Sequence, residues 1–270
     1  MDDLSAVVFD TAERLLGALH HGAGRWEDMT SAGQGRGWAT IEEAGLPLAL
    51  TAEEHGGLGL PLADGLELVQ IAGRSPVPWP VVETMLANRF AAEDGRTLHE
   101  GPVTALGLLT ADQRAFAALA RAKQMAGALD AILSMTVAHV QERSQFGRPL
   151  AGFQAVQHQL AVLGGEVAAG RAAADHAIAR IAEGATGDAA TLPIGVARVR
   201  VGEAASRAAA IAHQLHGAIG YTREHRLHRY TTALWAWRDQ FGTQTYWSRA
   251  VGRLVLARDA GDLWPMVTAA

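Results

Sequence analysis

Cysteine is absent from the sequence, which removes disulfides, thiolate metal sites and a cysteine nucleophile from consideration. Aromatic residues are scarce, at 6%, and strands draw on aromatic and β-branched side chains, so a sheet-dominated fold is disfavoured. No apolar run approaches the ~20 residues that a membrane-spanning helix needs. Basic charge is short as well. With 23 Lys and Arg against 28 Asp and Glu, the net charge is -5, the wrong sign for the basic face of a nucleic-acid binder. Met1-Asp2-Asp3 is acidic where a secretory signal is basic. These absences lead to the expectation of a cytoplasmic protein with neither a nucleic-acid nor a membrane partner.

What is present points to helix. The 270 residues are 49% hydrophobic and 19% charged, ordinary for a globular chain with one large or two modest domains. Alanine, the best helix former, is abundant. Leu4, Val7, Val8, Ala12, Leu15, Leu16 and Leu19 make a helical stripe. A glycine-rich polar loop is expected to follow through about Gly37. Thr40 with Glu43 has capping-box spacing and predicts a short helix ending near Gly45. Glu53 to Pro61 has too many glycines for regular structure. Asp64 and Glu67 predict the start of a helix ending at Gly73. Ser75 to Pro80 reads as a rigid connector, with helix again from Val81 to Ala92.

Residues 96–109 are short and polar, with room for one strand (Pro102 to Leu109) but no β domain. They divide an N-terminal helical domain (1–95) from a C-terminal helical bundle (110–270). Thr110 and Gln113 repeat the capping-box pattern and open a long helix to about Gln141, which Gly147-Arg148-Pro149 breaks. Further helices are expected over 153–183, 193–216 and within 226–258. Long helices with short breaks define an all-α chain whose C-terminal part is a four-helix bundle.

Two segments carry the chemistry. Glu142 to Leu150, followed by Phe153 to His158, joins Arg143 and Arg148 with Phe146 at a helix junction. Arginine is a planar fork of donors suited to phosphate, and a ring offers a stacking face. A dinucleotide diphosphate fits that mixture, and so does a plain surface turn with solvated arginines. Gln214 to His225 is rich in glycine, which lets a backbone or ligand approach closely; a helix C-cap and turn reads equally well. Among 11 histidines, His213, His216, His225 and His228 lie close in sequence but lack carboxylates at ligand spacing. Packing and capping are their expected roles, and no metal is assigned. Trp235, Trp237 and Trp247 are expected in the core or a subunit interface.

Both segments resemble the C-terminal domain of acyl-CoA dehydrogenases. That family carries Arg-x-Gln-Phe-Gly-x-Pro, then Phe-Gln-x-x-Gln, then Gln-x-x-Gly-Gly-x-Gly-Tyr. The corresponding runs are Arg143 to Pro149, Phe153 to Gln157 and Gln214 to Tyr221, with Ala218 in place of the second glycine. Trp38, Glu43, Gly45, Leu46, Glu53 to Gly59, Gly73, Arg74, Pro76, Pro78 and Glu83 resemble the family's first helical domain. The resemblance implies FAD binding across a subunit interface. Arg143 and Phe146 would meet its diphosphate and adenine end, and Gln154 would be a neighbouring contact. Gln214 and Gly217 would meet the adenosine, with Thr243 nearby. It also implies a β domain between the helical parts, for which the chain has no room.

The family's reaction removes an α proton from a thioester, so a carboxylate must stand within reach of that proton. At the two positions where the family places this base, the sequence has Phe241, followed by Gly242 and Thr243, and Ala117. Asp112, Asp239 and Glu142 are nearby carboxylates at non-matching positions. No catalytic residue is therefore assigned. The resemblance implies a noncatalytic subunit of a heteromeric dehydrogenase. A full-length partner would supply the base and most of the acyl-CoA site, and an electron-transfer flavoprotein would take the electrons. Gly220 to His228 is similar to members acting on steroid-derived CoA esters. The alternatives are a flavin-free scaffold that keeps the bundle for assembly, and a self-sufficient enzyme using Asp239.

Overall fold

The computed structural model describes residues 3–22, 31–262 and 264–265; the central part of the expected glycine-rich loop and Met1-Asp2 lie outside them. The chain divides into two compact units, Met1–Gln113 and Arg114–Ala270.

The first unit contains α1 (Asp3–Gly22), α2 (Ser31–Glu43), α3 (Leu62–Arg74) and α4 (Val81–Glu93). The buried face of α1 runs through Ser5, Ala12, Leu16 and His20 and leaves Leu4 and Val7 exposed. Polar pairing sets that rotation. The Ser5 hydroxyl donates to Asp64 at 2.5 Å, and Nδ1 of His20 lies 2.7 Å from the Pro76 carbonyl. Asp64 thus serves α1, and α3 begins without a side-chain cap.

The helix expected from Thr40 instead starts at Ser31. Gly37 serves packing: a Cβ there would stand 2.2 Å from the Trp79 ring. Thr40, near the C-terminal end, returns its hydroxyl to the Arg36 carbonyl at 3.0 Å, so no capping box forms there. Gly45, with φ 70°, terminates the segment.

Residues 96–109 contain neither helix nor strand, which corrects the possible strand at 102–109. Their backbone amides are taken up by side chains instead, as buried or half-buried polar groups require. His99 donates to Asn88 (2.8 Å), Gly101 to Glu42 (3.0 Å) and Val103 to Thr84 (3.0 Å). The capping box at Thr110 and Gln113 is complete: the amide of each donates to the other's side chain, at 3.1 and 3.2 Å.

The second unit is built from α5 (Ala111–Glu142, nearly all of it here), α6 (Gln154–Ala182), α7 (Gly187–His216), α8 (Leu227–Arg238) and α9 (Gln244–Leu256). Helix α7 is central and packs on α6, α8 and α9. It starts two turns before the expected Pro193, which sits inside the helix and is buried. Gly170 of α6 lies against Val201 and Ala204 of α7, where small side chains line the contact. Charged groups are paired where the helices meet: Lys123 with Asp175 at 2.6 Å, and Glu166 with Arg200 and Arg207. No helix among the described residues is long and apolar enough to cross a membrane.

Candidate functional site

At the end of α5 the chain turns through a two-residue hairpin. β1 (Ser144–Gln145) pairs antiparallel with β2 (Arg148–Pro149). The turn residues Phe146 and Gly147 both have positive φ, 51° and 79°, as tight hairpins require. For Phe146 that conformation costs about 1–2 kcal/mol, yet its side chain is 92% exposed. Among the described residues, an edge contact to Phe153 at 6.3 Å supports the ring. The Arg148 guanidinium lies over Phe153 at 4.0 Å. Strain on an exposed aromatic is unexplained by packing and points to use.

A cleft of about 660 Å³ lies behind this hairpin, between the end of α5, the start of α6 and the end of α7. Arg143, Gln214 and Gly217 line it, so three of the six sequence-predicted cofactor residues come together. Gln154 is exposed at the first position of α6 and Phe146 is on the turn; neither lines the cleft. Thr243 is also outside it, and its hydroxyl caps α9 by accepting from the Tyr246 amide at 3.2 Å. Glycine is required at 217, where φ is 64° and ψ -145°, a region closed to other residues.

Sequence reasoning missed His139 and Gln159 and expected His216 only to pack or cap; all three line the cleft. His139 stands one helical turn before Arg143, the spacing that puts two side chains on one face. The cleft offers matched but unused hydrogen-bonding groups. The Arg143 guanidinium has no ion pair or hydrogen bond among the described residues. Gln159 Oε1 and His216 Nε2 are buried without a hydrogen-bond partner among the described residues. His216 Nδ1 lies 2.8 Å from the Ala212 carbonyl, so it carries the ring's proton and Nε2 is an acceptor. Burial, followed by the neighbouring imidazoles, pushes the His216 pKa down to about 4. One unpaired cation and two orphaned acceptors suit a ligand with an anionic centre and N–H or O–H donors, as in a nucleoside diphosphate ester.

The two family base positions meet elsewhere in this unit. Ala117 is fully buried, and Arg121, one turn later, is buried as well. The Arg121 guanidinium faces the Trp237 and Phe241 rings at 5.6 and 5.5 Å. Arg198 runs beneath the α8–α9 turn, where its Nη2 is 2.8 Å from the Arg238 carbonyl and 2.9 Å from that of Gln240. Burial, then the like charge of Arg121, lowers its pKa to about 10, so it remains charged at neutral pH. Asp239 is largely exposed, 3.7 Å from Arg238, and Glu142 is exposed at the end of α5. Asp112 lies in the first turn of α5, within the first unit. Trp247 is buried, Trp237 is half-buried and Trp235 is 47% exposed. Among the described residues, no three His, Asp or Glu side chains are arranged to hold a metal.

The helical second unit, with its hairpin and terminal cleft, has the architecture of a dehydrogenase C-terminal domain. Residues 111–253 match the family described as acyl-CoA dehydrogenase, C-terminal domain, and the chain belongs to the acyl-CoA dehydrogenase family. It is 30% identical to acyl-CoA dehydrogenase IpdE2 of Mycobacterium tuberculosis over 257 aligned positions, covering 70% of this chain and 76% of that protein. In structure it is similar to the Tcur3481-Tcur3483 steroid ACAD G363A variant (TM-score 0.80, 20% identity, covering 94% of this chain and 98% of the other). The ChsE4-ChsE5 complex of Mycobacterium tuberculosis also shares the fold (TM-score 0.78, 17% identity, covering 96% and 99%).

Proposed function

We propose that this chain is the noncatalytic subunit of a heteromeric, FAD-dependent acyl-CoA dehydrogenase. The observation that carries this reading is the cleft, where unpaired Arg143 stands beside the orphaned acceptors of Gln159 and His216. Arg143 would hold the diphosphate of FAD. Gln159, Gln214 and His216 would meet its adenosine, whose amine and hydroxyls are donors. The open backbone at Gly217 lets the ligand lie close to the end of α7. Phe146 and Gln154 project from the same junction and would meet parts of the ligand that extend towards a neighbouring subunit.

When bound, the flavin supplies the hydride acceptor for α,β-desaturation of an acyl-CoA thioester. The chain's own residues supply no base at the family positions, since Phe241 and Ala117 cannot accept a proton. A full-length acyl-CoA dehydrogenase subunit would bring that base, the β domain and most of the acyl-CoA site, and an electron-transfer flavoprotein would accept the electrons. Residues 96–109 would stand where the full-length partner carries its β domain. A steroid-derived CoA ester is the substrate class we favour, supported by the likeness to a steroid ACAD and by the segment Gly220 to His228. The reconstituted pair should turn over steroid acyl-CoA faster than short straight-chain acyl-CoA; the reverse order would defeat the substrate assignment.

The arginine-filled surroundings of Phe241 favour a second reading, a flavin-free scaffold. The two readings separate on the Arg143→Ala variant. Loss of flavin from the purified complex supports the FAD reading, and a complex colourless from the outset supports the scaffold.

A further inference from the structure

His139 lines the cleft, and its ring stacks on His216 at 4.3 Å between centroids and 21° between planes. The His216 ring lies 4.7 Å from that of His225, which is 6.3 Å from His139. Three imidazoles from α5, α7 and the loop before α8 therefore cluster, with His139 and His216 on the cleft wall. Stacking at this distance suits neutral rings, because two imidazolium ions would repel. Neither ring nitrogen of His139 has a hydrogen-bond partner among the described residues.

The charged and titratable groups around His139 come from every side of the cluster. They are Glu142 and Arg143 on α5, His213 and His216 on α7, and His225 and Arg226 before α8, with His228 behind His225. Burial and then the Arg143 charge hold His139 below the usual histidine range, with Glu142 opposing them.

We propose that His139 takes up a proton when a diphosphate ester occupies the cleft against Arg143, so that ligand affinity depends on pH. This inference rests on the reading of the cleft as a dinucleotide site. The negative charge of the bound diphosphate offsets the Arg143 charge that disfavours imidazolium and so favours the protonated ring. By linkage, a ligand that tightens proton binding is itself tightened by the proton.

The test uses ADP-ribose, whose diphosphate is esterified at both ends and keeps a fixed charge over the working range. Calorimetric titration of the flavin-stripped complex with a full-length subunit should show binding about 3- to 10-fold tighter at pH 6 than at pH 8, since one unit of pKa change is tenfold in affinity. The enthalpy should vary with the ionisation enthalpy of the buffer, which reports proton uptake. His139→Phe preserves the stacked ring without its titration and should bind with no pH dependence. His139→Asn gives the same readout if the phenylalanine variant does not fold. Binding by the native complex that is equally tight at both pH values, or a variant complex that keeps the pH dependence, would overturn the inference alone. Absence of ADP-ribose binding by the native complex would overturn the dinucleotide reading and the inference with it.

Discussion

The guanidinium of Arg121 lies 5.5 Å from the centre of the Phe241 ring. Arg121 also stands one turn beyond Ala117 on the same face of α5. The two positions where the family would hold its base therefore lie around one buried cation, with Arg198 anchored under the adjacent turn. On the noncatalytic reading proposed above, regaining a base would take more than a single substitution.

Restoring the carboxylate alone is expected to fail. In Phe241→Glu the new carboxylate would pair with Arg121, and an opposite charge at close range lowers its pKa and weakens it as a base. Dye-linked assays of the purified variant should show no acyl-CoA dehydrogenation above the parent. Measurable turnover would mean that the arginines do not block the site.

Arg198 orders the α8–α9 turn. Its Nη2 lies within 2.8 to 3.5 Å of the carbonyls of Trp237, Arg238, Gln240 and Gly242. Arg198→Leu leaves buried acceptors unmatched and should cost about 2–4 kcal/mol. Denaturant melts measure the loss, and hydrogen exchange should quicken at residues 239–243.

His216 makes stability fall in mild acid. Its folded pKa of about 4 lies below the ordinary 6.5, so the fold favours the neutral ring and the unfolded chain binds the proton more tightly. The contribution is complete above pH 6.5 and is lost as pH falls from 6.5 to about 4, on the order of 3 kcal/mol in all. Melts of the native chain should fall more steeply across that window than those of His216→Phe. Parallel slopes would contradict the assignment.

Two glycines near the cleft are needed for different reasons. Gly217→Ala meets open space but a forbidden backbone region, at about 1–3 kcal/mol. Gly220→Ala would put its Cβ 2.8 Å from that of His216. Both variants should melt earlier than the native chain. Only Gly220→Ala should also shift the histidine ring resonances.

The legible parts of the sequence were those set by local chemistry. Thr110 and Gln113 form their capping box because each satisfies the other within one turn, and α5 follows. The same spacing at Thr40 and Glu43 failed, because Trp79 against Gly37 keeps the preceding glycines helical, and that contact joins residues far apart in sequence. Arg143, Gln214 and Gly217, which line the cleft, were singled out by ordered motifs. His139 and Gln159 were not, because the cleft gathers them from different helices. Arg121 was invisible for a related reason: its importance lies in facing Phe241, 120 positions along the chain.

The most direct measurement is the flavin absorption spectrum of this chain, purified alone and after co-expression with a full-length acyl-CoA dehydrogenase subunit, in native form and as Arg143→Ala. The account predicts flavin in the native complex, little in the lone chain, and a reduced flavin content per complex for the variant. A native complex without flavin, or a variant complex with undiminished flavin, would contradict it.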